Sequence, residues 1–483
     1  MGRGEEGGKR GDARIGSGAT PVNEEVPMSH SPARLHDMLD AATRQYGVPG
    51  AALAVWRNGE LIEAAAGVCN IETGVPATPD TLFQIGSITK LYTAALAMQL
   101  VETGKLDLDA PVRDTLPDFA VADAAVSRQV TLRHLLNHTS GIDGDFFKDA
   151  GRGEDRVEKY VRLLMDVHQV HPLGHMFSYC NAGFVVAGRM IEVADGTTWD
   201  RAIRKRLAKP LGTPAFSTLP EQAMRHQMAI GHVGQPGALT VTPIAYLAQS
   251  NAPAGSMPMA CARDIITFAR MMMSGGVAPN GTRVLSARSV HGMHQRNVTC
   301  PAEMNIDAVG LATFLWDWDG DGRYEVFGHD GSTIGQASWL RYHPESETAM
   351  ALLTNGGNGK GLADDLIREV FTGAAGIAPA EPPQPVAGLA IDRARVLGRY
   401  GKASGTIDVI EKQGMLVAVH KPAADFAVLQ TSHAIALQPA GDGLFVGTMP
   451  GFTRPVTYHF LEADGAGRAR YLHTGVRAYR RMA

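Results

Sequence analysis

Apolar and polar residues follow a spacing that changes at recognisable points along the chain. Helical periodicity begins only after Met28, in SPARLHDMLDAATRQYG, where apolar positions recur on one helix face. Two apolar runs then flank Asn58-Gly59 in GAALAVWRNGELIEAAAGV, and Asn-Gly between such runs is typical of a β-hairpin. This part of the chain therefore predicts one helix followed by two antiparallel strands.

From Ser87 to about residue 300 the apolar spacing is mainly helical. The segments that carry it are 87–103, 131–137, 155–167, 181–194 and 263–274. Strand-like runs return at Val309–Trp318, Tyr324–Phe327, Gly335–Tyr342 and Thr348–Thr354, followed by a helical GLADDLIREVF. Strands at both ends with helices between them predict an α+β fold, in which helices flank an antiparallel sheet and form an additional helical subdomain.

A proline-rich stretch, GIAPAEPPQPVAG, separates this region from the last part of the chain and is typical of a linker. Beyond it, short strand-like runs with turn signals between them favour a small β-barrel or sandwich. These runs are TIDVIEK, MLVAVHK, FAVLQ, GLFVGTM, PVTYHFLE and ARYLHTGVRAYR. The predicted organisation is a disordered tail at 1–28, an α+β domain at 29–376, a linker at 377–388 and an all-β domain at 389–483.

Composition and charge argue against several classes of partner. The chain has 45% hydrophobic and 19% charged residues and a formal net charge of −4, whereas nucleic-acid-binding proteins usually carry a basic surface. No run of about 18 apolar residues occurs, so no transmembrane helix is predicted. We therefore expect neither nucleic acid nor a membrane among the partners of this protein.

The N-terminal tail and the cysteines indicate the compartment. The tail is glycine-rich and charged and lacks the apolar core of a secretory signal, which predicts a cytoplasmic protein, with Met28 as an alternative start. The cysteines stand far apart without a CxxC pair, which predicts free thiols. They are Cys69, Cys180, Cys261 and Cys300. We expect no metal and no cofactor.

Lys90 is the only charged residue between Asp80 and Glu102, and it stands three residues after Ser87. Residues at this spacing share one face of a helix. Burial lowers the pKa of a lysine, and a neutral amine can take the proton from a serine hydroxyl, which is otherwise a weak nucleophile. An S-x-x-K match also arises by chance, and a lysine in an apolar helix can reach solvent, so the motif needs further context.

Two later motifs supply that context. Tyr179 and Asn181 form Y-x-N before a predicted helix, and H-x-G at 329–331 opens a predicted strand. In this order, S-x-x-K, Y-x-N and H-x-G resemble the serine β-lactamase and penicillin-binding-protein superfamily, and within it class C β-lactamases and family VIII esterases. LLNHTSGI and NAPAGS match further stretches common in that family, so the resemblance spans roughly residues 30–375.

The resemblance implies a role for each residue of the first two motifs. Ser87 would be the acylated nucleophile, and Lys90 would accept its proton or tune its charge. Tyr179 would shuttle protons and serve as the base for deacylation or for transfer to another acceptor. Asn181 would hydrogen-bond to Lys90 and to the acyl amide of the substrate.

The third motif implies the rest of the site. His329 would stand where many members of the superfamily have the lysine of K-T-G, and Gly331 would leave room for an acyl chain along the strand. The backbone N–H of Ser332 would pair with that of Ser87 as an oxyanion hole. Because a histidine with a pKa near 6.5 is mostly neutral at pH 7, we expect weak recognition of a β-lactam carboxylate unless Asp330 faces the imidazole and raises its pKa.

Other signals favour structural interpretations. DWDGDGRYE resembles the opening of an EF-hand loop, but Gly328 stands where the closing Glu is required, so a polar hairpin turn is predicted. His168, His171 and His175 do not share a helical face, because a proline and a glycine interrupt them. His138 is predicted to be a structural histidine at a helix end.

The C-terminal strands resemble the lipocalin-like barrel that some members of the superfamily carry. The barrel would either stabilise or oligomerise the protein, or cover the catalytic cleft and select peptidic acyl chains. The latter is the case in D-aminopeptidases and in the penicillin-binding-protein-type thioesterases that cyclise nonribosomal peptides.

The function predicted from the sequence is that of a serine hydrolase or acyltransferase that forms an acyl-enzyme on Ser87 and cleaves ester or peptide-like amide bonds. The alternatives are a peptide-releasing thioesterase or cyclase, a D-aminopeptidase, a β-lactamase, and a binding protein that has lost activity. The expected partners are a small-molecule or peptide acyl substrate, a homo-oligomer, and a peptidyl carrier protein in the case of a cyclase.

Overall fold

The computed structural model describes residues 32–235, 237–301, 304, 306–323, 325–424, 431–449 and 454–482. The predicted tail at 1–28, the alternative start at Met28 and the strand predicted for FAVLQ lie outside these residues. No helix in the described ranges is long and apolar enough to cross a lipid bilayer. The cytoplasmic location and the domain boundaries stay predictions.

Helices make up most of the region between the first two strands and the later strands. The α-helices are α1 Pro32–Gln45, α2 Thr89–Glu102, α3 Val112–Thr115, α4 Ala124–Gln129, α5 Leu132–Leu136, α6 Arg156–Arg162, α7 Asn181–Asp195, α8 Trp199–Ile203, α9 Lys209–Leu211, α10 Pro220–Ala223, α11 Ala262–Met273, α12 Ala287–His294, α13 Gly359–Ala375 and α14 Arg393–Val396. Short 3₁₀ turns cover Gly86–Ile88, Leu163–Asp166 and Gln249–Ala254, and a π-helical turn covers Arg204–Ala208.

The strands divide between one large sheet, one barrel and two small ribbons. They are β1 Gly50–Arg57, β2 Glu60–Gly67, β3 Phe83–Gln84, β4 His232–Gln235, β5 Ala238–Val241, β6 Met259–Ala260, β7 Val298–Thr299, β8 Ala308–Val309, β9 Phe314–Trp316, β10 Val326–Ser332, β11 Ala337–His343, β12 Thr348–Thr354, β13 Gly398–Lys402, β14 Gly405–Lys412, β15 Met415–Pro422, β16 His433–Gly441, β17 Leu444–Thr448, β18 Pro455–Ala463, β19 Ala469–Thr474 and β20 Arg477–Arg481.

The large sheet is antiparallel and joins distant parts of the chain. Its order is β2-β1-β12-β11-β10-β9-β8-β7, and Ala51 of β1 pairs with Thr354 of β12. The hairpin predicted at Asn58-Gly59 is present, with Arg57 opposite Glu60. Apolar side chains on both faces of the sheet are buried against helices, as expected for a sheet in the middle layer of an α+β fold.

The last part of the chain forms a closed barrel. Strands β13 to β20 follow one another around it, and β13 pairs with β20 to close it. Alternate apolar residues of these strands fill the interior, and closure leaves no open strand edge. The predicted fold class, α+β with an antiparallel sheet, a helical region and a small all-β barrel, is confirmed.

The barrel packs against the segment that precedes α7. Tyr179 donates its backbone N–H to the carbonyl of Val476 at 2.9 Å, and the ring of His473 donates through Nε2 to the carbonyl of Phe177 at 3.0 Å. The backbone N–H of Ala478 donates to the hydroxyl of Ser178 at 3.1 Å. The turn between β19 and β20 therefore lies directly against a predicted site residue.

Candidate active site

Ser87 and Lys90 lie where a 3₁₀ turn leads into α2. The turn covers Gly86–Ile88, and α2 begins at Thr89. The α-helix therefore starts two residues later than the predicted segment 87–103, and Ser87 lies in the turn before it. Helix α2 is buried along most of its length; Lys90 itself is 0% exposed, whereas Ser87 is the one residue of 81–90 that remains partly accessible. Nζ of Lys90 lies 3.0 Å from Oγ of Ser87.

The surroundings of Lys90 favour a neutral amine. Nζ donates to Oδ1 of Asn181 at 2.8 Å and to the carbonyl of Ala254 at 2.5 Å. Burial lowers the pKa of Lys90 well below its usual value, and the positive charge of Arg477 lowers it further. A neutral amine has two N–H groups and one lone pair. Because the two N–H groups are taken by these oxygens, the lone pair is left for the hydroxyl of Ser87.

Tyr179 lies between the nucleophile and the third motif. Its hydroxyl is 3.5 Å from Nε2 of His329, and Nζ of Lys90 is 4.8 Å from the centroid of its ring. Burial raises the pKa of Tyr179, and a hydrogen bond with Ser87 opposes the rise. The phenol is therefore protonated at neutral pH and can pass a proton only while a neighbour takes or returns one.

His329 is a buried, neutral imidazole. Its Nδ1–H donates to the carbonyl of Asp330 at 2.5 Å, which leaves the lone pair of Nε2 facing Tyr179. Burial lowers the pKa of His329 to about 3. The carboxylate of Asp330 pairs with Arg341 at 2.5 Å, and it raises the pKa of His329 by less than burial lowers it.

The strand after His329 passes very close to the nucleophile. A Cβ on Gly331 would lie 2.1 Å from the carbonyl oxygen of Ile85 and 2.9 Å from the backbone nitrogen of Ser87. Gly86 has a φ of +51°, and a Cβ there would lie 2.4 Å from the backbone nitrogen of Ser332. The backbone nitrogens of Ser87 and Ser332 thus lie near each other, as the two donors of an oxyanion hole must.

This close approach predicts a strong effect of a single methyl group. We expect Gly331→Ala to lower kcat/KM for p-nitrophenyl butyrate by about 10²-fold, because the backbone of the nucleophile has to move, and to destabilise the fold by about 1–3 kcal/mol. Initial rates and thermal unfolding measure the two effects. Gly465→Ala is the matched control, since a Cβ there meets no atom within 4 Å; equal behaviour of the two variants would contradict the prediction.

The structure brings together all of the residues predicted from the three motifs, and it adds three that sequence reasoning missed. Asp145 is buried and pairs with Lys402 and with Arg477, the latter at 2.8 Å. Both cations come from the barrel, and the guanidinium of Arg477 lies 5.1 Å from the ring centroid of Tyr179. Asp145 follows the LLNHTSGI match by three residues, in the short segment DGD, but nothing local in the sequence connects it to the barrel.

His138 and Cys180 hold the Y-x-N segment in place. Nδ1 of His138 accepts the backbone N–H of Cys180 at 2.9 Å, and its ring stacks on Tyr179 with 4.3 Å between centroids. Burial raises the pKa of the Cys180 thiol to about 11, so it is not a nucleophile at neutral pH. Cys180 instead accepts the N–H of Gly183 as the N-cap of α7.

The acidic loop of DWDGDGRYE connects the neighbouring antiparallel strands β9 and β10. Its carboxylate oxygens lie within 4.8 Å of one another. They belong to Asp317, Asp319, Asp321 and Glu325. Arg323 already pairs with Asp319 at 3.4 Å and with Asp321, which gives the loop a cation of its own.

The sequence and the fold of this chain are similar to those of known proteins. A family model described as Beta-lactamase matches residues 35–374. Penicillin-binding protein 4 of Amycolatopsis lactamdurans is 44% identical over 390 residues, which cover 79% of this chain and 100% of the relative. The crystal structure of SurE has a TM-score of 0.74 at 29% identity and covers 93% of this chain and 99% of SurE.

A third similarity is to an amidase. The D-amino acid amidase from Ochrobactrum anthropi SV3, solved with L-phenylalanine, has a TM-score of 0.57 at 25% identity and covers 67% of this chain and 92% of the amidase. The resemblance inferred from the motifs is confirmed by the family match and by these relatives. The chain belongs to the β-lactamase family of serine hydrolases.

Proposed function

We propose that this protein is a serine hydrolase that forms an acyl-enzyme on Ser87 and cleaves ester or peptide-like amide bonds. The observation that carries the proposal is the environment of Lys90. Its buried amine donates to two oxygen acceptors and lies 3.0 Å from Oγ of Ser87, so its remaining lone pair is placed to take the serine proton.

The proposed acylation follows from these positions. Oγ of Ser87 attacks the carbonyl carbon while its proton moves to Nζ of Lys90. The resulting oxyanion accepts hydrogen bonds from the backbone N–H groups of Ser87 and Ser332. When the tetrahedral intermediate collapses, the leaving group takes a proton from Tyr179, which is protonated at neutral pH, and the proton on Lys90 restores the tyrosine.

The charges in the cleft favour peptide-like substrates over β-lactams. A lysine in the third motif would place a fixed positive charge on the strand, but His329 is neutral because of its burial. The guanidinium of Arg477 lies 5.1 Å from the ring centroid of Tyr179, but it is already paired with Asp145. The amidase relative is named for D-amino acid amides, which makes such amides the first substrates to test.

A second candidate is transfer of the acyl group to an amine, as in a peptide-releasing thioesterase or cyclase. The observation that favours it is that SurE, which is similar to this chain over 93% of its length, has been solved with D-Leu, a free amine of the kind that accepts an acyl group. In this case the acceptor would be an amino group instead of water, and a carrier protein would deliver the acyl chain.

The test is a comparison of initial rates on p-nitrophenyl butyrate, D- and L-phenylalanine amide and nitrocefin, together with fluorophosphonate labelling followed by mass spectrometry. We expect labelling at Ser87, turnover of the ester and of at least one amide, and slow or no turnover of nitrocefin. Added D-leucine that diverts the butyryl group into an amide would identify the transferase. Fast nitrocefin turnover would contradict the substrate argument, and absence of labelling would favour a binding protein.

A further inference from the structure

Asp145 links the barrel to the proposed catalytic pair. One of its carboxylate oxygens, Oδ1, accepts Nδ2–H of Asn181 at 3.2 Å. The other, Oδ2, pairs with Lys402 and with Arg477. The Asp145 side chain is 8% exposed and that of Lys402 is 4% exposed. This is a buried cluster of charges that connects three separate parts of the chain.

The orientation of the Asn181 amide decides what Lys90 meets. With Oδ1 toward Lys90, the amine has an acceptor at 2.8 Å. If the amide were flipped, its NH₂ group would face the amine and the donor of Lys90 would lose its partner. An ionised carboxylate can only accept hydrogen bonds, so Asp145 admits just the orientation in which the NH₂ group of Asn181 points toward it.

The two cations of the barrel, Lys402 and Arg477, keep the carboxyl group of Asp145 ionised. Burial by itself raises the pKa of this carboxyl, but Arg477 and Lys402 outweigh the effect of burial and hold it below its usual range. A buried carboxylate without such partners would take up a proton or lose stability. A protonated Asp145 could donate a hydrogen bond and would no longer fix the amide.

We propose that Asp145 is a positioning residue that fixes the amide of Asn181 with its oxygen toward Lys90. Lys402 and Arg477 keep Asp145 ionised, and because both belong to the barrel, the barrel takes part in this positioning. The inference rests on the proposed function, because it assigns a role in the same acylation. It also makes the barrel a component of the site and not only a cover over it.

Asp145 also affects the base through space, together with Arg477. The positive charge of Arg477 lowers the pKa of Lys90, and the negative charge of Asp145 raises it. Other ionisable groups packed around Lys90 and this cluster are Asp143, Tyr179, Cys180, Tyr479, His138, His329 and His473. Loss of the carboxylate charge should therefore move the acid limb of the kcat/KM profile to lower pH, and loss of the Arg477 charge should move it to higher pH.

The main test is a double-mutant cycle with p-nitrophenyl butyrate. We expect Asp145→Asn to lower kcat by about 10²-fold with little change in KM, as a misaligned base would. In an Asn181→Ala background, Asp145→Asn should cause almost no further decrease in kcat, because the amide that Asp145 orients is absent. Equal losses in both backgrounds would overturn the proposal.

A second set of variants covers the case in which Asp145→Asn does not fold. Lys402→Met removes one of the two cations and should produce a smaller kcat loss that also disappears in the Asn181→Ala background. Lys421→Met is its matched control, since this lysine pairs with Asp408 on the barrel at 2.8 Å and is 51% exposed. A loss for Lys402→Met that is equal in both backgrounds, or equal to that of Lys421→Met, would overturn the proposal.

The pH profiles separate positioning from a loss of structure. We expect the acid limbs of Asp145→Asn and Arg477→Met to shift in opposite directions, whereas damage to the fold would shift neither. Acid limbs that shift together or stay in place would also overturn the proposal. Failure of the proposed function would look different, because the wild-type protein itself would then show no ester turnover and no labelling at Ser87.

Discussion

Replacing Ser87 by alanine is expected to lower kcat/KM for p-nitrophenyl butyrate by about 10⁴-fold or more, because no acyl-enzyme can form without the hydroxyl. Ser87 is the only residue of 81–90 that is not buried, so a substrate that reaches this turn meets its hydroxyl first. The fold should be unaffected, since the hydroxyl contributes no packing to the surrounding core. Initial rates, and the mass shift after fluorophosphonate treatment, measure the effect.

The control for this variant is another serine that is distant from the cleft along the chain. Ser274 stands at the C-terminal end of α11, and Ser274→Ala should keep both the rate and the labelling of the wild type. Thermal unfolding of the two variants shows whether either has lost structure. Ester turnover by Ser87→Ala at a substantial fraction of the wild-type rate would mean that the nucleophile is a different group.

Lys90→Met is expected to have the second largest effect, a fall in kcat of about 10³–10⁴-fold, which is within the range attributed to a general base acting with its nucleophile. Two imidazoles lie against Tyr179, and both are poor bases. The pKa of His329 is about 3, and burial lowers the pKa of His138 well below its usual value. Methionine keeps most of the length of the side chain but cannot accept a proton. The variant should still bind the ester, so kcat should fall more than KM rises.

The rate losses caused by the two substitutions should not be additive. If Ser87 and Lys90 act as one unit, the double variant Ser87→Ala/Lys90→Met should be no slower than Ser87→Ala alone. Rates for the two single variants and the double variant, with background hydrolysis subtracted, complete this cycle. A double variant that is slower by the product of both losses would show that the lysine acts on a step that does not involve the serine.

The parts of the site that could be predicted are those that depend on short spacing. Ser87 and Lys90 are three residues apart in the sequence. Their side chains are in contact as predicted, although Ser87 lies in a 3₁₀ turn and not in the α-helix. The turn also depends on a distant contact. Gly86 has a φ of +51°, and the backbone of Ser332 occupies the space that a Cβ on this residue would need.

Contacts between distant segments could not be predicted from spacing or composition. Lys402 reaches Asp145 across 257 residues of sequence, and Arg477 stands in what reads as an ordinary exposed turn, TGVR. The motif resemblance identified His329 as a site residue, but it gave no information about Lys402 and Arg477 of the barrel. The neutral state of His329 depends on burial, which only the folded structure provides.

Strand predictions were wrong where the alternation of apolar and polar residues along the chain is interrupted. Strand β16, His433–Gly441, was not predicted, because Pro439 interrupts its pattern and the pairing with β17 shifts register between Pro439 and Gly441. The run predicted at Val309–Trp318 is two short strands, β8 and β9. In the first case the strand is irregular at a register shift, and in the second the chain reverses direction between two antiparallel strands, whereas a period-two pattern assumes one straight strand.

The order of strands in the large sheet has a consequence for biosynthesis. A ribosome delivers the β1–β2 hairpin early, but the partner of β1 is β12, which ends at Thr354. Until β12 has been synthesised, β1 has one unpaired edge, and such edges associate with other chains. Pairing between such distant segments is also slow to form. The nucleophile therefore has no oxyanion donor from Ser332 during most of translation, and a nascent chain is expected to remain inert until the sheet closes.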